Sequence, residues 1–187
     1  MSQLLGTIHD PDVVFTDVGL AILGAYLARR LWTMPGGKTL ARAGALLMGA
    51  LASAALWGAI FHAFFPAGTT TLSGSLAWSP VVLSIVLAAA VMLELALRIL
   101  LPQLSLGTRR YIVMTYTASF AAVALLLDQS FTSIVYFYVP VLLLLLFVAW
   151  QQAIRSRSAG WTLVATGLLM SAGAAVLQQA RVAIHPV

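Results

Sequence analysis

The run SPVVLSIVLAAAVMLELALRILL, from Ser79 to Leu101, decides how the rest of the chain is read. It is apolar almost throughout, and its two charges, Glu94 and Arg98, fall together near its end. A stretch of about 20 apolar residues spans the hydrocarbon of a bilayer as a helix. Five further runs of this kind follow the same logic: Val13 to Trp32, Leu40 to Phe65, Tyr111 to Leu127, Phe131 to Trp150 and Trp161 to Ala180. Backbone groups in lipid must bond internally, so these runs are expected to be helices. The alternating segments of about 10 residues that build a closed barrel are not seen.

Composition agrees. Of 187 residues, 61% are hydrophobic and 8% charged, against about 25% charged in a soluble domain. The mean hydropathy is +1.00. The fold class expected is an all-α integral membrane protein, a single domain over residues 1–187 with six transmembrane helices. The net charge of +5 is not a nucleic-acid signal, because the basic residues are few and sit at helix ends. The partner expected is therefore the lipid bilayer, with no nucleic acid. With no cysteine, thiolate metal sites and cysteine nucleophiles are excluded. The opening MSQLLGTIHD lacks a basic region followed by an apolar one, so helix one is expected to act as the insertion signal.

The breaks between runs have local causes. Pro35-Gly36-Gly37 separates helices one and two, and Pro66 to Pro80 separates two and three. Pro102 to Thr108, Asp128-Gln129-Ser130 and Ser156 to Gly160 make the remaining three. Pro140 lies inside helix five, where the lost amide donor should kink it.

Nine of the ten basic residues fall after helices one, three and five: Arg29, Arg30, Lys38 and Arg42; Arg98, Arg109 and Arg110; Arg155 and Arg157. The positive-inside rule places those loops in the cytoplasm and both chain ends outside, which in a bacterial inner membrane is the periplasm. Arg181 is the exception. The chain stops at Ile184-His185-Pro186-Val187. Two readings stand: six helices, or a seven-helix protein whose last helix is missing here.

This topology collects scattered polar residues near one face. Asp17 stands about 6 Å inside the outer end of helix one, and His62 about 5 Å inside that of helix two. Asp128 caps the outer end of helix four, and Gln178, Gln179, Arg181 and His185 crowd that of helix six. Ala50, Ala54, Gly58 and His62 form one stripe, beside a second small-residue row of Ala45, Gly49 and Ser53. Small stripes mark close helix approach, so His62 is expected to point into the bundle or a cavity.

Asp17, His62 and Asp128 are the candidate catalytic residues. His62 would act as base or metal ligand, and an acid would orient it. Trp57 and Tyr138 could line the same cavity as cofactor-binding residues, and zinc is the metal considered. The plainer reading makes His62 an interface histidine and both acids helix caps. A zinc site needs three or four ligands, and His9 and His185 lie in flanking segments. A single axial ligand to a pigment is a further reading of His62. Glu94 and Arg98, one turn apart, are expected to pair. Most of the tryptophans, Trp32, Trp78, Trp150 and Trp161, fit an aromatic belt. No phosphate loop, GxSxG elbow or HExxH motif is present.

The stretch LWGAIFHAFF, Leu56 to Phe65, resembles the second helix of a bacterial family of uncharacterised seven-helix proteins, and Thr16-Asp17 fits the same likeness. That family is faintly similar to the superfamily of alkaline ceramidases and adiponectin receptors, zinc-dependent lipid amidases and their relatives. The resemblance implies that His62 is the metal ligand of helix two. It also implies a Ser where this chain has Gly58, an Asp near Trp78 and Ser79, and two further His on a seventh helix. The function expected is a metal-dependent lipid-amide hydrolase or a degenerate relative. The alternative is a non-catalytic accessory subunit of a larger membrane complex, contacting other subunits, pigment or lipid cofactors. A small transporter has least support.

Overall fold

A computed structural model describes residues 8–35 and 38–179, without the side chains of Lys38 and of residues 174–179. Every regular element among them is helical. The six long helices are α1 (Pro11–Trp32), α2 (Lys38–Phe64), α3 (Leu72–Leu100), α4 (Leu106–Ala122), α5 (Phe131–Ser156) and α6 (Ala159–Gln179). A 3-10 turn, Gly68–Thr70, precedes α3, and a π-helical turn, Val123–Leu127, extends α4. Five helices are long and apolar enough to cross a membrane, counting α4 with its extension, and α6 carries a shorter apolar run over Ala159–Gly173. The protein is an all-α membrane bundle.

Local chemistry sets the ends. Pro11 opens α1 with Asp12 in its first turn, while Arg29 and Arg30 occupy its last, which matches the helix dipole at both ends. Thr71, Ser105 and Ser130 cap α3, α4 and α5 by accepting from the amides of Gly74, Thr108 and Ser133. The cap at Thr71 corrects the expected third helix. It starts at Leu72 rather than Ser79, and Pro80 lies inside it. Beside Pro80, two hydroxyls bond back along the helix: Ser79 Oγ donates to Ser75 O at 3.0 Å and Ser84 Oγ to Pro80 O at 2.7 Å. Helix α5 likewise continues through Pro140 as far as Ser156.

Packing is centred on α3, against which α2, α4 and α5 all lie. Helix α1 packs on α2, and α6 packs on α5. The most apolar stretch of α3 is 61% buried and that of α1 only 6%, so the two differ as axis and rim. Ala88, Ala89 and Ala96 of α3 are fully buried. Their small size lets neighbouring backbones approach, as bilayer packing requires in the absence of a hydrophobic drive between helices. One core cluster joins Leu47 and Ala50 of α2, Met92 of α3, and Leu142, Leu145 and Val148 of α5. A second joins Trp78 and Val82 of α3, Phe120 of α4, Ala124 of the π turn and Ile134 of α5.

Trp78 departs from the aromatic belt expected of it. Because α3 begins at Leu72, Trp78 stands in its second turn, is only 9% exposed and packs on Phe61 at 4.8 Å between ring centroids. Trp32 and Trp150, by contrast, are well exposed near the ends of α1 and α5.

Candidate functional site at the start of α1 and the end of α2

Helices α1 and α2 run antiparallel in tight register. A Cβ on Gly24 would meet Ala52 Cβ at 3.0 Å and Met48 O at 3.2 Å. Further along, a Cβ on Gly58 would stand 2.9 Å from Asp17 Oδ2. Asp17 therefore faces α2 at Gly58, one turn before His62 on the same stripe. Two of the three candidate catalytic residues are thus brought to one face of α2.

The other half of the site comes from residues outside the candidate set. The amide of His9 donates to Ala63 O at 3.3 Å, which lays the entry to α1 across the end of α2. Asp10, the N-cap residue of α1, makes no side-chain cap bond. Its carboxylate lies instead 3.1 Å from His9 Nδ1 and 3.7 Å from His62 Nδ1. The backbone of Asp10 is left-handed, with φ 50° and ψ 56°, a conformation that Asp tolerates better than most residues. A signal for this arrangement was present: Pro11 suits the first helical position, which makes Asp10 the cap residue. Which histidine its carboxylate would meet was a tertiary matter.

The histidines are accessible. The His62 side chain is 33% exposed and that of His9 52%, so the imidazoles stand at a rim and not in a sealed cavity. Phe61 closes one side, edge-on to His62 at 5.7 Å and against Trp78 beyond. The indole Nε1 of Trp78 is buried there without a hydrogen-bond partner.

Asp128 lies elsewhere. It accepts from the amide and hydroxyl of Ser130 at 3.0 and 2.9 Å and from the hydroxyl of Ser133, and so ties the turn between α4 and α5. These donors, Ser133 first, hold its carboxyl below the usual carboxylate range. Gln129 beside it accepts from Ser75 of α3 at 2.7 Å. Trp57 shares the exposed face of α2 with Leu56 and Phe64. Tyr138 packs between the two core clusters. No hydrogen bond, ion pair or aromatic contact among the described residues joins Asp128, Trp57 or Tyr138 to His62. Arg181 and His185 lie outside the described residues, as do the side chains of Gln178 and Gln179.

Comparison with protein families gives a match over residues 13–187 to a family of unknown function, DUF6962. The chain belongs to this family. No curated protein matches it, and no solved structure does. Zinc requires three or four protein ligands, and among the described residues no group of three His, Asp or Glu side chains is placed to hold a metal ion. The described residues therefore do not fit zinc, and no chemistry is derived through it. What they offer is an imidazole beside a carboxylate, an arrangement suited to proton transfer.

At the opposite end of the bundle, Glu94 is drawn into a wider ion cluster than the sequence suggested. Its Oε1 lies 4.0 Å from Arg98 Nε and 3.8 Å from Arg109 Nε of α4. The Arg109 side chain is 11% exposed and its Nε has no hydrogen-bond partner. This cluster ties α3 to α4.

Proposed function

We propose that the protein is a membrane-embedded hydrolase of lipid amides, or a degenerate relative of such enzymes, with His62 as general base. The observation that carries this reading is the approach of His62 Nδ1 to the Asp10 carboxylate at 3.7 Å, on a half-open rim at one end of a lipid-embedded bundle. With Nδ1 turned to the carboxylate, Nε2 is left to take a proton from water or from a substrate hydroxyl. The carboxylate stabilises the imidazolium that results, as in other histidine–acid pairs. The gap is longer than a hydrogen bond, as is common before substrate binds. Lipid amides as substrate rest on the resemblance of Leu56 to Phe65 to the second helix of an uncharacterised bacterial seven-helix family, itself faintly similar to the superfamily of alkaline ceramidases and adiponectin receptors. The positive-inside rule supports placing this rim on the outer side of a bacterial inner membrane, with the basic loops cytoplasmic.

The test is hydrolysis of ceramide and simpler N-acyl lipids by the purified full chain in mild detergent. His62→Ala is expected to lower kcat by about 10²–10⁴-fold, and Asp10→Asn to lower it with little change in KM. Equal turnover by wild type and His62→Ala would sink the reading.

A second reading, an accessory subunit of a larger membrane complex, is favoured by α1. Ala21 is its one buried residue, and Phe15, Leu20, Ile22 and Tyr26 all face outward. Co-purification with other subunits supports it, and a monodisperse monomer counts against it.

A further inference from the structure

At the end of the bundle away from His62, a groove of about 260 Å³ between α1 and α2 is lined by Ala28, Arg29, Trp32, Thr33 and Ala45. The Arg42 guanidinium stands over the Trp32 ring, 6.0 Å from its centroid, within cation–π range. The last-turn carbonyls of Arg29 and Arg30 are already taken by the Thr33 hydroxyl, at 3.0 and 3.3 Å. No acidic side chain competes for the nearby guanidinium groups. Of the five acids, Asp10, Asp12, Asp17 and Asp128 belong to the His62 end, and Glu94 is engaged by Arg98 and Arg109. Positive charge and an apolar floor thus meet in one groove beside lipid, with no counter-charge from the protein.

We propose that this groove binds one anionic phospholipid, its phosphate between Arg29 and Arg42 and the upper part of an acyl chain along Ala28, Trp32 and Ala45. Charge complementarity selects an anionic headgroup over a zwitterionic one. The apolar floor selects a lipid over a free anion. Trp32 reports on occupancy because it forms part of the wall.

The full chain is reconstituted in phosphatidylcholine vesicles holding a minor fraction of acyl-brominated phosphatidylglycerol or, in parallel, acyl-brominated phosphatidylcholine. The Trp32 contribution to quenching is taken as the difference from a Trp32→Phe variant. Brominated phosphatidylglycerol is expected to be enriched about fivefold or more at Trp32, the worth of one arginine at an anionic surface. The doubly substituted R29Q/R42Q protein is expected to lose that preference. R155Q/R157Q, with the same charge change elsewhere, is expected to keep it. Equal quenching of Trp32 by the two lipids, read as the difference between wild type and Trp32→Phe, overturns the proposal. Loss of preference in R155Q/R157Q also overturns it, by showing general surface attraction. Added inorganic phosphate is expected to leave the preference intact, and displacement by phosphate would overturn the assignment to a lipid.

Discussion

Gly58 and Asp17 show how one missing side chain makes room for a carboxylate. A Cβ at Gly58 would come within 2.9 Å of Asp17 Oδ2, so the carboxylate occupies space that only glycine leaves open. Gly58→Ala is expected to fold normally, since the atom met is the end of a flexible side chain. Alanine's helix propensity, up to about 1 kcal/mol better than glycine's, offsets the shift. With Asp17 as a second acid of the proposed site, Gly58→Ala and Asp17→Asn are both expected to lower hydrolysis, as melting curves and turnover measured on the same samples would check. Asp128 illustrates the opposite case, a candidate catalytic residue placed in a turn. Its carboxyl titrates below its ordinary value of 3.8 because Ser133 and Ser130 donate to the ionised form. The unfolded chain therefore takes up this proton at higher pH than the folded one. The stabilisation is complete above the ordinary value and is lost as pH falls through the depressed one. Asp128→Asn is expected to flatten the acid limb of a melting-temperature profile taken downward from about pH 5. A mutant profile parallel to wild type would refute that.

Among the elements, the turn into α3 and the contact of α3 with α4 are the most constrained. A Cβ on Gly74 would fall 1.9 Å from the backbone oxygen of Gly68, and Gly68 itself has φ +61°. The 3-10 turn and the first turn of α3 thus require glycine at both positions, one for close approach and one for a left-handed backbone. Gly74→Ala is expected to cost about 1–3 kcal/mol or more, since backbone rather than a side chain must yield. Chemical denaturation in detergent would measure it. Glu94 meets Arg98 and the largely buried Arg109. Glu94→Gln leaves Arg109 without its counter-charge and is expected to cost about 1–3 kcal/mol. Adding Arg109→Gln to that variant is expected to recover part of the loss, and strict additivity would show that the two do not interact. The sequence paired Glu94 with Arg98 by spacing alone. It could not show that α4 returns Arg109 to the same acid.

For the whole molecule, the order of packing predicts the order of opening. Helix α3 touches three long neighbours, whereas α1 rests on α2. Local opening is easiest where few buried contacts resist it. Hydrogen exchange in detergent is expected to be slowest around Ala88 to Ala96 and fastest in α1. Uniform exchange across the helices would contradict the central position of α3. The proposed acid–base site lies on the α1 rim, away from the central helix α3.

Helix number, approximate boundaries and membrane residence were legible in the sequence because a bilayer leaves the backbone little choice. An apolar run of sufficient length must satisfy its own hydrogen bonds, and a helix does so without help from the rest of the chain. The early start of α3 was obscured because Pro66 to Pro80 carries loop-forming residues, while the cap at Thr71 and the close approach of Gly74 to Gly68 work in three dimensions. The stripe bearing Gly58 and His62 was also legible, since it follows from helical periodicity alone. Partnership was not. Among the described residues Asp128 bonds only Ser130 and Ser133 of its own turn, whereas that Asp10 reaches His62 and that Asp17 fills the space beside Gly58 depend on how α1 and α2 are brought together. Tertiary packing decides this, because side chains at one depth in a membrane can still stand on opposite sides of a bundle.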